Sequence, residues 1–375
     1  MHECDVLIVG GGPAGSSLAW SLRNSELSVT IMDRKSFPRD KVCAGWVTPE
    51  VIKELGVDLE SYGNERTLQP ITGFRIAMLG RSQLETYYSG EPVSYGIRRI
   101  EFDHYLIQRC GANLLLGHEL KSLYRDGRAW LVNGDIRAKL VVGAGGHFCP
   151  VGRMLGAWPE GSEQVVAAQE IEFEMTPGQR AACKVDAETP ELFFTPELNG
   201  YGWVFRKGDY LNVGLGREDS QKLSSHVRVF REYLIDLGRI PPDIPAKFKG
   251  HAYLLYHHAL REVTQEGVLL IGDSAGLAYP ESGEGIRPAV ESAFLAAQII
   301  QEAQGDYSRE NLSRYFNLVI QRFGKREPQD GLIERLPQGL KQWLAGPLMQ
   351  TQWFVSKILV ERWFLHRGLP PLTGG

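Results

Sequence analysis

A glycine-rich loop near the N-terminus has the residue spacing that binds the phosphates of a dinucleotide. The loop consists of Gly10, Gly11, Gly12, Pro13, Ala14 and Gly15. In the pattern G-x-G-x-x-G, the first glycine permits a tight turn, the second lets a pyrophosphate approach the backbone, and the third lets a helix pack closely on a strand. Asp33 follows at about the 20-residue spacing of the acid that binds a ribose hydroxyl. These residues predict a dinucleotide site; the alternative is a structural turn in another kind of α/β protein.

The segments on either side of this loop are those that such a site requires. The apolar residues Val6 to Val9 predict a buried parallel strand before the glycines, and Ser16 to Leu22 predicts a helix after them. A second apolar strand is expected over Leu27 to Met32, directly before Asp33. The helix would direct free N–H groups and the positive end of its dipole at the phosphates.

The length and composition fit a globular enzyme and exclude several other classes. The 375 residues suit two domains, and 43% hydrophobic with 23% charged residues is ordinary for such a protein. A net charge of −4 gives no indication of a nucleic-acid-binding surface. The five scattered cysteines predict neither a disulfide framework nor a metal site. Because the chain enters its first strand at once and lacks an apolar run of ~18–20 residues, a cytoplasmic location is expected.

Four further motifs accompany the glycine loop. They are Lys41-x-Cys43-x-Gly45, Arg99-x-x-Phe102-Asp103, Tyr201-Gly202-Trp203-Val204-Phe205, and Gly272-Asp273-Ser274-Ala275-Gly276 with Gly283-Glu284-Gly285-Ile286. In this order and spacing, the five stretches resemble the geranylgeranyl reductase branch of the FAD-dependent, p-hydroxybenzoate hydroxylase-like flavoproteins. The resemblance extends from the N-terminus to about Ile300.

The resemblance and the hydrophobic pattern together predict an α/β fold. This fold is a Rossmann-like FAD-binding domain with an inserted antiparallel β-sheet substrate domain and a C-terminal helical segment. Alternating stretches such as Glu170 to Phe173 indicate the antiparallel sheet. The FAD-binding domain is expected over residues 1–72, 96–164 and 251–303, the substrate domain over 73–95 and 165–250, and the helical segment over 304–375.

The resemblance implies that FAD is the cofactor and indicates which residues bind it. The glycine loop and Asp33 would bind the ADP half, and Arg99 would lie near the phosphates or the ribityl chain. The cofactor-binding set implied by the motifs is Gly10, Gly12, Pro13, Ala14, Gly15, Asp33, Arg34, Lys41, Ala44, Gly45, Arg99, Gly272, Asp273, Gly283, Gly285 and Ile286. Taken alone, Asp273 has an alternative role as the N-cap of a helix. The alternative role of Arg99 is to form an ion pair at the surface.

Cys43 is the candidate catalytic residue that the resemblance implies. It would lie near the flavin and contact the substrate or relay a proton; the alternative is a small buried hydrophobe. A neighbouring cation such as Lys41 favours the thiolate. Tyr201, Trp203 and Phe205 are the candidate substrate-binding residues, with an aromatic core strand as the alternative.

The implied reaction is reduction of a carbon–carbon double bond in a lipophilic, isoprenoid-like substrate. The alternatives are a flavin-dependent monooxygenase or halogenase, and an electron-transfer flavoprotein that acts on a protein partner. Related hydroxylases have Ala-Asp-Gly where this chain has Ala144-Gly145-Gly146, which leaves the electron donor open between NAD(P)H and another reductant. The nearby His147 and Cys149 are interpreted as packing residues, with a redox or proton-transfer role as the alternative.

The C-terminal segment is apolar and rich in aromatic residues from Trp343 to Phe364. One prediction is that it packs on the rest of the protein or covers the substrate pocket. The other is that its aromatic face contacts a membrane surface as a peripheral anchor. The few basic residues favour packing, because interfacial helices are usually rich in Lys and Arg.

Overall fold

The computed structural model describes residues 1–157, 163–219, 221–326 and 345–372. In this part of the chain the strands are β1 (His2–Val9), β2 (Val29–Asp33), β3 (Trp46–Val47), β4 (Leu68–Ile71), β5 (Gly73–Met78), β6 (Leu84–Tyr87), β7 (Ser94–Ile97), β8 (Asn113–Leu116), β9 (Leu123–Asp126), β10 (Ala129–Val132), β11 (Ile136–Gly143), β12 (Val165–Glu174), β13 (Glu191–Phe194), β14 (Gly200–Lys207), β15 (Tyr210–Arg217), β16 (Lys249–Leu254), β17 (Thr264–Gln265) and β18 (Val268–Leu270). The α-helices are α1 (Pro13–Leu22), α2 (Pro49–Glu54), α3 (Leu59–Glu65), α4 (Arg99–Gln108), α5 (Pro150–Met154), α6 (Pro177–Ala182), α7 (Leu223–Asp236), α8 (Ile286–Glu302) and α9 (Arg309–Phe323). Two short 3₁₀ turns, Tyr256–His258 and Gly272–Ala275, and a π-helix, Phe354–Phe364, complete these elements.

The sheet that carries the glycine loop is parallel at its centre. β1 pairs in parallel with β11 on one side and with β2 on the other, and the order continues to β18 and β8. Val6, Leu7 and Ile8 of β1 are fully buried, in one core with Leu18 of α1 and Ala296 of α8. The run of apolar residues that predicted this strand is therefore explained by helices packed on the sheet. The predicted Rossmann-like fold class is confirmed.

A second sheet stands beside the first, with the strand order β16-β12-β15-β14-β13-β5-β6. Its pairs are antiparallel except for β13 with β5, which are parallel. The early hairpin of β5 and β6 thus pairs with β13, which begins more than one hundred residues after β6 ends. The domain boundaries themselves stay a prediction.

The C-terminal π-helix packs on this second sheet. Val355, Leu359, Val360 and Phe364 are buried and share a core with aromatic residues of the sheet such as Phe205. Trp343, where the predicted aromatic segment begins, lies outside the described residues. Among the residues that the structure does describe, no helix combines the length and apolar character needed to cross a membrane.

Candidate functional site

A cavity lies between the parallel sheet and the second sheet, and it is lined by the glycine loop and by residues of strands β14 and β16. Fifteen of the residues selected from the sequence line it. They are Gly10, Gly12, Pro13, Ala14, Asp33, Lys41, Cys43, Ala44, Arg99, Tyr201, Trp203, Asp273, Gly283, Gly285 and Ile286. The cavity therefore brings together all five motifs, although their outermost members are more than 270 residues apart in the sequence.

Five other residues selected from the sequence do not line this cavity: Gly15, Arg34, Gly45, Gly272 and Phe205. Gly15 is required by packing, because a Cβ there would lie 1.9 Å from the carbonyl oxygen of Gly10. Gly45 and Gly272 have positive φ angles of +69° and +60°, so they shape the loops beside the cavity. Arg34 borders a separate surface cavity. Phe205 is only 2% exposed and packs edge-on against the ring of Trp46.

The glycine loop is built to receive an anionic group at the N-terminus of α1. Gly10 has φ +118° and lies so close to Ala144 that a Cβ would be 2.4 Å from the carbonyl oxygen of that residue. The Asp33 carboxylate accepts the N–H of Gly11 at 2.8 Å, which ties β2 to the loop. The first turn of α1 carries no acidic residue and no side-chain cap. Its N–H groups and positive dipole end are thus available to a phosphate.

Basic side chains next to the loop give the cavity a positive region. Arg99 forms two hydrogen bonds to Asp103, of 2.7 and 2.9 Å, and Arg39 reaches the same carboxylate at 3.2 Å. Two guanidinium groups share one carboxylate, so this group has a net positive charge. Together with the open N-terminus of α1, that charge fits the diphosphate of FAD.

Lys41, His251 and Asp273 form a second polar group in the cavity. The Lys41 Nζ atom lies 3.0 Å from both ring nitrogens of His251, and His251 Nε2 lies 4.0 Å from the Asp273 carboxylate. Burial lowers the pKa of Lys41 to about 8, although the charge of Asp273 opposes this shift. Burial also raises the pKa of Asp273, with Lys41 and Arg99 opposing. The sequence did not predict His251. The feature that could have revealed it is the two-residue alternation of β16, which brings both His251 and Tyr253 into the cavity.

The other end of the cavity is aromatic. The rings of Trp46, Tyr201, Trp203 and Tyr253 line it. The Tyr201 hydroxyl donates a hydrogen bond to the carbonyl oxygen of Ser282, next to the late glycine motif. Such a wall has few unpaired polar groups and suits an apolar ligand.

Cys43 lines the same cavity and interacts with both regions, with Arg99 on the positive side and with Tyr201 on the aromatic side. It is partly exposed, whereas the other four cysteines are buried. The Gly45 N–H donates to its sulfur at 3.4 Å. Cys149 is fully buried in the core of the parallel sheet, and His147 lies 3.1 Å from an Arg261 nitrogen outside the cavity wall. The cavity therefore contains Cys43 but neither Cys149 nor His147.

Comparison with known proteins identifies the cofactor that this geometry fits. A family model described as an FAD binding domain matches residues 3–318. Digeranylgeranylglycerophospholipid reductase 3 of Methanosphaera stadtmanae is 27% identical over 87% of this chain and 85% of its own length. Menaquinone reductase of Mycobacterium tuberculosis is 27% identical over 86% of this chain and 81% of its own.

Solved structures share the fold at lower identity. A geranylgeranyl bacteriochlorophyll reductase-like protein of Thermoplasma acidophilum superposes with a TM-score of 0.74 at 23% identity, over 93% of this chain and 88% of its own. The flavin-dependent halogenase CmlS gives a TM-score of 0.67 at 18% identity, over 93% of this chain and 72% of its own. The predicted cofactor, FAD, and the resemblance to geranylgeranyl reductases are confirmed.

Proposed function

Because the chain belongs to the FAD binding domain family and is an FAD-dependent oxidoreductase, we propose that it reduces a carbon–carbon double bond of a lipophilic, isoprenoid-like substrate. The observation that carries this proposal is the aromatic end of the cavity, formed by Trp46, Tyr201, Trp203 and Tyr253. Relatives of similar length named as reductases of digeranylgeranylglycerophospholipid and of menaquinone support it.

The two ends of the cavity have different proposed roles, cofactor binding at one and substrate binding at the other. The glycine loop, Arg39 and Arg99 would hold the diphosphate, while the aromatic rings would bind the apolar substrate and exclude water. FAD, when bound, supplies hydride-transfer chemistry. Cys43 lies where the two regions meet, so its thiol is in position to contact the substrate and to hold a proton at Sγ.

The proposed reaction is tested by product analysis without oxygen. The purified holoenzyme is incubated anaerobically with a geranylgeranyl lipid and, in separate reactions, with NADPH, NADH or dithionite as reductant. We expect mass spectrometry to show products heavier by two hydrogen atoms, and the three reductants identify the class of electron donor. The same reactions are run in parallel in air with chloride present, and products that carry an added oxygen or halogen and form only there would overturn the proposal in favour of a monooxygenase or halogenase.

Replacing Cys43 with alanine is expected to lower the turnover number about ten-fold or more and to leave the FAD content unchanged. The reason is that a positioned acid–base group contributes at least this factor, whereas the phosphate-binding residues are untouched. Steady-state kinetics and the flavin spectrum measure the two quantities. Cys183→Ala is the matched control, because Cys183 is buried in a core away from the cavity. An unchanged turnover number in Cys43→Ala would return this residue to a packing role.

A peripheral membrane contact would use the start of the C-terminal π-helix. Trp353 is 65% exposed there, whereas Val355 and Leu359 are buried against the second sheet. Such a contact predicts that Trp353→Ala reduces partition into phosphatidylcholine–phosphatidylglycerol vesicles several-fold in a flotation assay, because an indole ring favours the membrane interface. Tyr124→Ala is the control, since Tyr124 is equally exposed and lies on β9 of the other sheet. Equal partition of both variants and the parent protein would leave packing as the role of this segment.

A further inference from the structure

We propose that Glu170, Asn212 and Trp203 are positioning residues that fix Cys43 in the cavity. We call these three side chains the Cys43 clamp. The proposal rests on the proposed function only for the role of Cys43 at the substrate. It adds Glu170 and Asn212, which belong to none of the five sequence motifs, and it gives Trp203 a second role.

The clamp holds both backbone groups of Cys43. The Glu170 carboxylate accepts the Cys43 N–H at 2.7 Å, and the Asn212 side-chain amide donates to the Cys43 carbonyl oxygen at 3.1 Å. The same amide donates to the other oxygen of Glu170 at 3.2 Å, which closes the arrangement. Cys43 itself lies in a loop without helix or strand, so these contacts replace the hydrogen bonds of a regular element.

The clamp residues stand on the rigid second sheet. Glu170 is on β12 and Asn212 on β15, two strands that pair directly along eight residue pairs. Glu170 is 4% exposed and Asn212 is 1% exposed. Side chains this buried on paired strands have few alternative rotamers, so they transmit the geometry of the sheet to the Cys43 loop.

Trp203 connects the clamp to the aromatic end of the cavity. Its indole N–H donates to the Asn212 side-chain oxygen at 2.7 Å, which orients the amide so that its NH₂ group faces Cys43. Its ring lies over Gly214, where a Cβ would be 2.2 Å from the ring. Because Gly214 leaves this space, the ring can line the cavity and hold Asn212 at the same time.

The chemistry of the clamp argues against a packing role alone. A buried carboxyl group costs free energy unless hydrogen bonds compensate it, and burial raises the pKa of Glu170 to about 8. Its two oxygens accept hydrogen bonds from Cys43 and Asn212. Apart from a longer contact of the Asn212 amide with Glu172, at 3.4 Å, these hydrogen bonds join the clamp residues to one another and to the backbone of Cys43, which lines the cavity.

The proposal is tested by the alkylation rate of Cys43 in the holoenzyme, which requires no substrate. Iodoacetamide labelling is followed by peptide mass spectrometry, and the other four cysteines are buried and serve as internal references. We expect Glu170→Leu and Asn212→Leu to alkylate at Cys43 at least about five-fold faster, because the released loop exposes the thiol. Glu170→Gln retains an oxygen acceptor for the Cys43 N–H and should stay near the parent rate.

Two further variants complete the design. Trp203→Phe keeps an aromatic ring but loses the N–H, so an intermediate rate is expected. Gln169→Leu is the matched control, because Gln169 neighbours Glu170 and its amide bonds to Ser224 instead. Retained flavin absorbance shows that each variant is folded, and any variant that loses it is replaced in the comparison by Trp203→Phe.

The kinetic constants separate this proposal from the proposed function. With a reducible isoprenoid substrate, Glu170→Leu should lose turnover number while KM changes less than about two-fold, since none of the aromatic side chains of the wall hydrogen-bonds to Glu170. Equal alkylation rates in Glu170→Leu, Asn212→Leu and Gln169→Leu would overturn the clamp, whatever the substrate. Faster alkylation in the leucine variants, together with full activity of Cys43→Ala, would support the clamp and refute the catalytic role of the thiol.

Discussion

Replacing Gly12 with valine is expected to remove FAD from a protein that otherwise remains folded. Gly12 stands at the N-terminus of α1 with φ −74°, a conformation that valine adopts freely. A Cβ there would have Arg39 Nη2 as its nearest protein atom, at 3.3 Å, so the side chain would project into the cavity and not into the core. It would occupy the position where the diphosphate must approach the backbone. We expect FAD to bind about a hundred-fold more weakly or worse, a loss of roughly 3 kcal/mol.

The experiment compares flavin content per protein, circular dichroism and melting temperature. Gly178→Val is the control, because Gly178 lies in the first turn of α6, has open space around it and is outside the cavity. Gly15→Val is expected to destabilise the fold itself, unlike Gly12→Val, because a Cβ at position 15 would collide with the backbone of Gly10. Full flavin content in a folded Gly12→Val protein would show that the diphosphate does not lie at this turn.

The parts of the site that could be predicted from the sequence are those formed by residues close together in the chain. The glycine loop, its strand and its helix lie within one short segment, and their apolar pattern reports burial directly. The Cys43 clamp could not be predicted in this way. Glu170 and Asn212 meet Cys43 from 127 and 169 residues away, and in the sequence they are polar residues of an alternating strand like many others. Only the pairing of β12 with β15 directs both at the same loop.

The aromatic strand shows how tertiary packing decides between pocket and core. Tyr201, Trp203 and Phe205 alternate along β14, so the sequence places all three on one face of the strand. The structure brings the first two to the cavity, whereas Trp46 covers Phe205. The ring of Phe364, from the C-terminal π-helix, packs against Tyr201 at 5.5 Å between centroids. The C-terminal segment was predicted to pack near the substrate pocket. The contacts that bring it there join residues far apart in the sequence, and the local pattern of residues does not encode them.

The late glycine motif contains a buried carboxyl group whose protonation should control stability. Glu284 is 6% exposed, and among the described residues neither of its oxygens has a well-formed hydrogen bond, although the backbone N–H of Arg287 interacts with the carboxyl. The nearest ring nitrogen, His366 Nε2, is 3.7 Å away. Burial raises the pKa of Glu284 to about 8; Arg287 opposes this shift and Glu291 adds to it. The folded protein therefore holds a proton on Glu284 at a pH at which the unfolded chain has released it.

We expect Glu284→Gln to become more stable than the parent protein as the pH rises from 5 to 9. A carboxyl with a raised pKa contributes stability below its unfolded value of about 4.5, and this contribution is lost as the pH passes through about 8. Glutamine stays neutral, so the variant avoids this loss, which amounts to about 4 kcal/mol at most. Melting temperatures with excess FAD at several pH values measure the difference. Glu65→Gln is the control, because the Glu65 side chain is 69% exposed and should show no such trend. A difference between Glu284→Gln and the parent that does not change with pH would mean that Glu284 is already ionised in the folded protein.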